Sequence, residues 1–440
     1  MPASVAIAHT KEKHRSLDRV LFLVREALSH LGGIQAFVSP GQTVLIKPNQ
    51  TVSGSQDACA TDPLVVGALI RLAREAGASH IQVADAGGGL LLGGIADREG
   101  AELLDLGSDD VPNRVVETPL GKVTRRAPLP APLLDADVII AVPKARTHHI
   151  DPISGAMELW CGVVNRNWRN FNHGDADMID RFVDLMTVSR PDLCVVDALI
   201  CGEGDGPIAN TPRWAGCILA STDPVATDVA IAQLMGRDWK KLRFAEAGEA
   251  RGLGELQPVA WLGIPIEEVC FQAWPAHEGY DYLPINFLVG EGVTLEGTVG
   301  HVKSVLDSML RRGELDQAIA LQGTPTIMIG DIEDPEFEAH LREGPYLVFD
   351  DAARPEYKGD PRVYFVPGHP VLRTVVPELR KALGVEAPGD PSPSWQQWER
   401  FARKSATAAA PFAVAALAIF GGLWGVNALT RKKDEEEARR

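Results

Sequence analysis

The chain has 440 residues, 45% of them apolar and 23% charged. At about 150 residues per domain this suggests two or three folded units, and it excludes a disordered chain, a fibre and a polytopic membrane protein. Its 43 basic and 59 acidic side chains leave a net charge of −16, which argues against nucleic acid as a partner.

The N-terminal stretch 1–33 has scattered charges and no apolar core of the signal-peptide kind. Residues 43–47 (TVLIK) form a short apolar run suited to a buried strand. Asp62-Pro63 then starts a helix, with Asp as N-cap and Pro in the first turn, and Gly77 ends it. Residues 80–84 read as a strand opening into Asp85 and the run Gly87-Gly88-Gly89. Residues 137–142 (DVIIAV) read as another, leading into Pro143-Lys144-Ala145-Arg146-Thr147-His148-His149. Segments 192–197 and 217–220 repeat the strand theme, and Asp223-Pro224 starts a second helix. Strands separated by helices predict an α/β domain over 1–280, a mostly parallel sheet covered by helices on both faces. A smaller α/β domain is expected over 281–386, with strands at 286–289, 326–329, 346–349 and 363–366 and helices at 299–311 and 371–383.

The C-terminal part reads differently. Residues 387–405 combine a Pro-rich linker with an interfacial segment carrying Trp395, Trp398 and Phe401 among basic residues. Residues 406–429 contain no charge; as a helix they would be about 36 Å long, enough to cross a hydrocarbon core. A single transmembrane anchor is expected there, followed by a charged tail at 430–440. Without an N-terminal signal peptide, a tail anchor places the soluble domains on the cytoplasmic side. The six cysteines form no C-x-x-C pair, as expected of free thiols in a reducing compartment. Gly421-x-x-x-Gly425 permits close helix packing, which leaves an oligomer open.

In parallel sheets ligands sit beyond the carboxyl ends of the strands, and the chemically suggestive residues follow predicted strands. Lys47 and Asn49 follow the first and Asp85 the second. Lys144, Arg146, His148 and His149 follow the third, and Glu203 and Asp205 lie soon after the strand ending at Asp197. Lys144, Asp85, His148 and His149 are candidate catalytic groups, an imidazole being suited to moving a proton near neutral pH. Lys47, Asn49, Arg146, Glu203 and Asp205 are candidate substrate-binding groups. The glycine run lacks a G-x-G-x-x-G order and no Walker lysine motif is present, so a nucleotide site is not expected.

Lys47-Pro48-Asn49, Thr61-Asp62-Pro63, Val142-Pro143-Lys144 with Thr147-His148-His149, Ser154-Gly155-Ala156, Asn172-His173, Glu203-Gly204-Asp205-Gly206-Pro207 and Ser221-Thr222-Asp223-Pro224 together resemble the domain-of-unknown-function family 362 over residues 40–250. The family implies no general activity. Many members add a ferredoxin-like module with clustered cysteines, which this chain lacks, so no iron–sulfur cluster is expected. More distantly, His148, the segment Ser154-Gly155-Ala156-Met157-Glu158 and Asn172-His173 resemble the nickel-pincer lactate racemases. That resemblance implies an acid/base role for His148 and a metal-ligand role for His173. Glu158 stands where the racemases carry the lysine that holds the pincer, and a carboxylate cannot form that link; a divalent metal on His173 and Glu158 remains chemically reasonable. Two functions are compatible with these readings: a membrane-tethered enzyme acting on a small anionic substrate by His-based proton transfer, or a non-catalytic ligand-binding or scaffold protein.

Overall fold

The computed structural model describes residues 3–50, 56–86, 92–172 and 177–386. The Gly87–Gly89 run, His173, the Pro-rich linker, the apolar segment 406–429 and the charged tail lie outside these residues. Among the described residues no helix is long and apolar enough to cross a membrane.

The strands, in chain order, are β1 (Ser4–His9), β2 (Thr43–Pro48), β3 (His80–Asp85), β4 (Glu102–Asp105), β5 (Asn113–Glu117), β6 (Arg126–Pro130), β7 (Val138–Val142), β8 (Lys144–Arg146), β9 (Leu193–Asp205), β10 (Ala209–Ser221) and β11 (Ala260–Gly263). Four more, β12 (Asn286–Val289), β13 (Thr326–Ile329), β14 (Tyr346–Phe349) and β15 (Val363–Val366), build a second sheet. The main sheet has the order β11-β1-β10-β9-β7-β2-β3-β4, with β8 alongside β9; β5 and β6 pair separately. Strand β10 is antiparallel to β1 and β9, and the other pairings within this sheet are parallel.

The period of two along β2 shows why both faces are covered. Val44 and Ile46 enter one core with the helices Leu17–Ser29 and Pro63–Glu75, while Leu45 enters the other with Met178–Met186 and Pro224–Leu234. Each Asp-Pro pair starts a helix as its chemistry dictates: Asp62 accepts the N–H of Leu64 and Asp223 that of Ala226, both at 2.8 Å. The second sheet is wholly parallel, in the order β12-β13-β14-β15. Ile327, Ile329, Leu347 and Phe349 face a core shared with the helices Thr298–Arg311 and Leu372–Leu383, and Met328 and Val348 face the other side. Ile208, from the turn between β9 and β10, enters the core of this second sheet.

Two strands are longer than the sequence reading gives them. The strand expected over 192–197 continues to Asp205, and the one expected over 217–220 begins at Ala209, making a long antiparallel hairpin. Glycines and acidic residues disguise its outer half as loop, but its pairing extends from Ser221↔Cys194 to Ala209↔Asp205. Glu203 and Asp205 therefore lie within a strand.

Asp184, on the helix Met178–Met186, is fully buried. It accepts the N–H groups of Lys122, Val123 and Thr124 at 2.9, 2.8 and 2.6 Å and pairs with the buried Arg251. Asp184→Ala should lower the unfolding free energy by about 3–5 kcal/mol, because it removes one of the two carboxylates that meet the buried Arg251, the other being Asp180 at 2.8 Å, and takes the acceptor from three backbone N–H groups. Arg114→Ala, which breaks an exposed pair with Asp135, should cost less than about 1 kcal/mol. Urea titrations of the two variants test the contrast.

Candidate functional site

The carboxyl edge of the main sheet buries several ionisable side chains. Lys47 is fully buried at the end of β2; its ammonium pairs with Asp85 at the end of β3 and donates to the Pro48 carbonyl at 2.8 Å. Lys144, 1% exposed, pairs with Asp197 at 2.9 Å. Asp197 also accepts the N–H of Asp62 at 2.7 Å, and Asp62 pairs with Arg15. The Arg146 guanidinium donates to the carbonyls of Cys59 and Pro207, both at 2.7 Å. At Asn49, the backbone N–H donates to the Thr61 hydroxyl at 2.8 Å and the carbonyl accepts the Thr61 N–H at 2.9 Å, which ties the end of β2 to the start of the helix Pro63–Glu75.

The two histidines that follow β8 are stacked, with ring centroids 4.7 Å apart, and they carry opposite tautomers. His148 Nδ1 accepts the N–H of Ile150 at 3.0 Å, so its proton sits on Nε2, 3.2 Å from Oε1 of Glu158. His149 Nδ1 donates to the Gly206 carbonyl at 2.7 Å, which leaves its Nε2 as a lone pair. That Nε2 and Oε2 of Glu158 are buried and have no hydrogen-bond partner among the described residues. Open atoms of this kind mark where a polar ligand could bond. Glu158 is further held by the Ser154 side chain.

Burial sets the charge state of this centre. It pushes His148 down to about 3, assisted by the positive charges of Arg146 and Lys303. It also pushes His149 well below the usual imidazole value, with His148 adding to the effect. Burial raises Glu158 toward its neutral acid, against the pull of Arg146. Asp228 is driven well above the carboxylate range by burial while accepting the N–H groups of Ala156 and Met157 in the segment that leads into Glu158. The Cys161 thiol is pushed up by burial and is no ready nucleophile.

The helix Thr298–Arg311 covers the histidines. A Cβ on Gly300 would stand 2.8 Å from His149 Nε2, so only glycine permits this approach. Lys303 lies one turn further along the same helix face.

The structure thus brings Arg146, His148, His149 and Glu158 into one cluster. The Lys47–Asp85 pair adjoins it through Gly162, whose Cβ would lie 2.9 Å from Lys47 Nζ and 3.0 Å from Asp85 Oδ2. Lys144 belongs to the Asp197–Asp62 chain. Glu203 pairs with Arg213 at 3.3 Å, and Asp205 with His277 at 2.8 Å. Among the described residues no group of three or more His, Cys, Asp or Glu side chains could hold a metal ion, and His173 lies outside them. Sequence reasoning missed Gly300, Lys303 and Asp228. Asp228 left a signal, as the single charged residue in the mostly apolar helix Pro224–Leu234.

Two titrations report on this arrangement. The Hε1 NMR signal of His148 should stay still between about pH 8 and 5, where an ordinary imidazole changes charge. Because folding opposes its protonation, His148 makes the fold less stable as pH falls below about 6.5. Asp151, next to the cluster, has the opposite sign. Burial pushes it up to about 7 even though it accepts the N–H groups of Arg243 and Phe244. It binds a proton in the folded state at a pH where the unfolded chain does not, and so stabilises the fold as pH falls from about 7 toward about 4. Asp151→Asn should remove that gain in urea titrations at about pH 8 and 5; equal pH dependence in the two proteins would contradict it.

The family described as "Domain of unknown function (DUF362)" matches residues 44–233, which carry Lys47, Asp85, the 144–149 segment, Glu158 and the β9–β10 hairpin. A thylakoid-associated protein of Synechocystis sp. is 30% identical over 284 residues, covering 61% of this chain and 86% of that protein. The chain belongs to the DUF362 family.

Proposed function

We propose that this protein is a membrane-associated acid–base enzyme acting on a small anionic molecule, with His149 Nε2 as proton acceptor and Glu158 as its acidic partner. The observation that carries this reading is the pair of buried, unpartnered atoms, His149 Nε2 and Glu158 Oε2. One is a neutral imidazole lone pair and the other belongs to a carboxyl group that burial drives toward its protonated form. Together they can take a proton from a bound molecule and return one. His148, with both ring nitrogens engaged, orients Glu158 instead of reacting.

Arg146 and Lys303 both lower His148 through their charge, and the positive field they supply favours an anion. The likeness to lactate racemases in the order His148, Ser154-Gly155, Glu158 and Asn172-His173 supports proton transfer, while Glu158 in place of lysine speaks against a covalently held pincer. If a divalent ion binds, Glu158 Oε2 and His173 are the donors it would take.

The thylakoid association in the name of the Synechocystis relative supports membrane association, which in this chain would use the apolar segment 406–429 as anchor. The six cysteines are thiols, which fits a folded body on the reducing, cytoplasmic side. A second reading, a ligand-binding or scaffold protein, draws support from Lys47 and Lys144: both are spent in internal ion pairs and offer little to a substrate.

Incubating the full chain in deuterated water with a panel of small carboxylates separates the two. The enzyme reading expects carbon-bound hydrogen to exchange for deuterium in at least one compound. His149→Asn and Glu158→Gln should each slow that exchange by about 10²–10⁴-fold. Binding of a carboxylate without exchange, equally tight in both variants, would overturn it in favour of the binding protein.

A further inference from the structure

The outer end of β9 is the template on which the histidines rest. Gly202 O accepts the N–H of Thr147 at 2.9 Å, and Gly204 O accepts the Thr147 hydroxyl at 2.7 Å. Gly206 O accepts His149 Nδ1–H and Pro207 O accepts the Arg146 guanidinium, each at 2.7 Å. The approach is so close that a Cβ on Gly206 would overlap the Thr147 carbonyl. His149 thus takes its tautomer from the position of one carbonyl.

The side chain next to that carbonyl is engaged elsewhere. The Asp205 carboxylate accepts both the N–H and the Nδ1–H of His277 at 2.8 Å and lies 4.0 Å from Lys303 Nζ. His277 stacks on Tyr282 with centroids 4.2 Å apart. The Tyr282 hydroxyl accepts from Lys303 at 2.6 Å and donates to Asp307, and Lys303 donates to Asp307 at 2.9 Å. The network ties the end of β9 to the segment 277–282 and to the helix that covers His149.

We propose that Asp205 is a positioning residue for His149: anchored by His277 and the Lys303–Asp307–Tyr282 cluster, it holds the Gly206 carbonyl where that carbonyl selects the imidazole tautomer with an open Nε2. The role rests on the reading of His149 Nε2 as proton acceptor. A hydrogen bond to one ring nitrogen biases a neutral imidazole by about tenfold, so a displaced carbonyl releases the other tautomer. That tautomer carries its proton on Nε2 and cannot accept one.

Long-range ¹H–¹⁵N correlation spectra of the full chain, labelled at histidine, read the protonation of each ring nitrogen. The wild type should show His149 protonated on Nδ1 alone. Asp205→Ala should give a mixture of tautomers at His149 while His148 keeps its proton on Nε2, and Asp205→Asn should restore part of the wild-type pattern. For any carboxylate that exchanges deuterium, kcat should fall with KM nearly unchanged. His277→Phe removes one donor to Asp205 from a ring that is 56% exposed; it should shift His149 in the same direction and decides the matter if Asp205→Ala does not fold. Folded variants with an unchanged single tautomer would overturn the role of Asp205. A wild-type His149 already protonated on Nε2 would instead overturn the reading of His149 as proton acceptor, and this role with it.

Discussion

Burying a lysine or a carboxylate costs several kcal/mol unless a partner meets it inside the protein, and that constraint orders the carboxyl edge of the main sheet. Lys47 is met by Asp85 and Lys144 by Asp197, and elsewhere in the fold Arg251 is met by Asp184. These pairs connect strands and helices distant in sequence and lock them in register. His148 and His149 meet the same constraint by giving up their charge. Burial holds both rings neutral, and each ring is then fixed by the one backbone group that its tautomer can satisfy. A neutral imidazole with an open nitrogen, beside the Lys47–Asp85 and Lys144–Asp197 pairs, is the consequence.

The second sheet belongs to this centre as much as the first. Its helix Thr298–Arg311 is buried along most of its length and still carries His301, Lys303, Ser304 and Asp307. Polar residues on a buried helix must be satisfied by specific partners. Lys303 finds Tyr282 and Asp307, and Gly300 lets the helix backbone close over His149. The family match covers residues 44–233, so the part of the chain that seals the histidines lies outside it.

Much of the fold was legible because its signals are local. Apolar runs at 43–47 and 137–142 mark buried strands, and the four strands of the second sheet are apolar runs of the same kind. Asp62-Pro63 and Asp223-Pro224 mark helix starts because a carboxylate meets the free N–H groups there. The outer half of the β9–β10 hairpin was not legible, since Glu203-Gly204-Asp205-Gly206-Pro207 has turn composition and its strand residues are held extended only by long-range pairing. The pairings of the candidate site residues were hidden for the same reason. Nothing in the spacing of Lys47 and Lys144 tells that each is neutralised by a partner from another strand. Lys303 with Asp307 reads as an ordinary solvated i,i+4 pair, and only the packing around their helix shows that both are buried.

The central claim is that His149 Nε2 and Glu158 Oε2 together form the contact point for a small anion. A crystal structure of the full chain with malonate bound tests it most directly. The account predicts a malonate oxygen accepting a hydrogen bond from the protonated Glu158 Oε2, with the malonate methylene C–H turned toward the His149 Nε2 lone pair and the Lys47–Asp85 and Lys144–Asp197 pairs intact. Malonate bound away from the histidines, or bound by Lys47 or Lys144 after their ion pairs have opened, would contradict it.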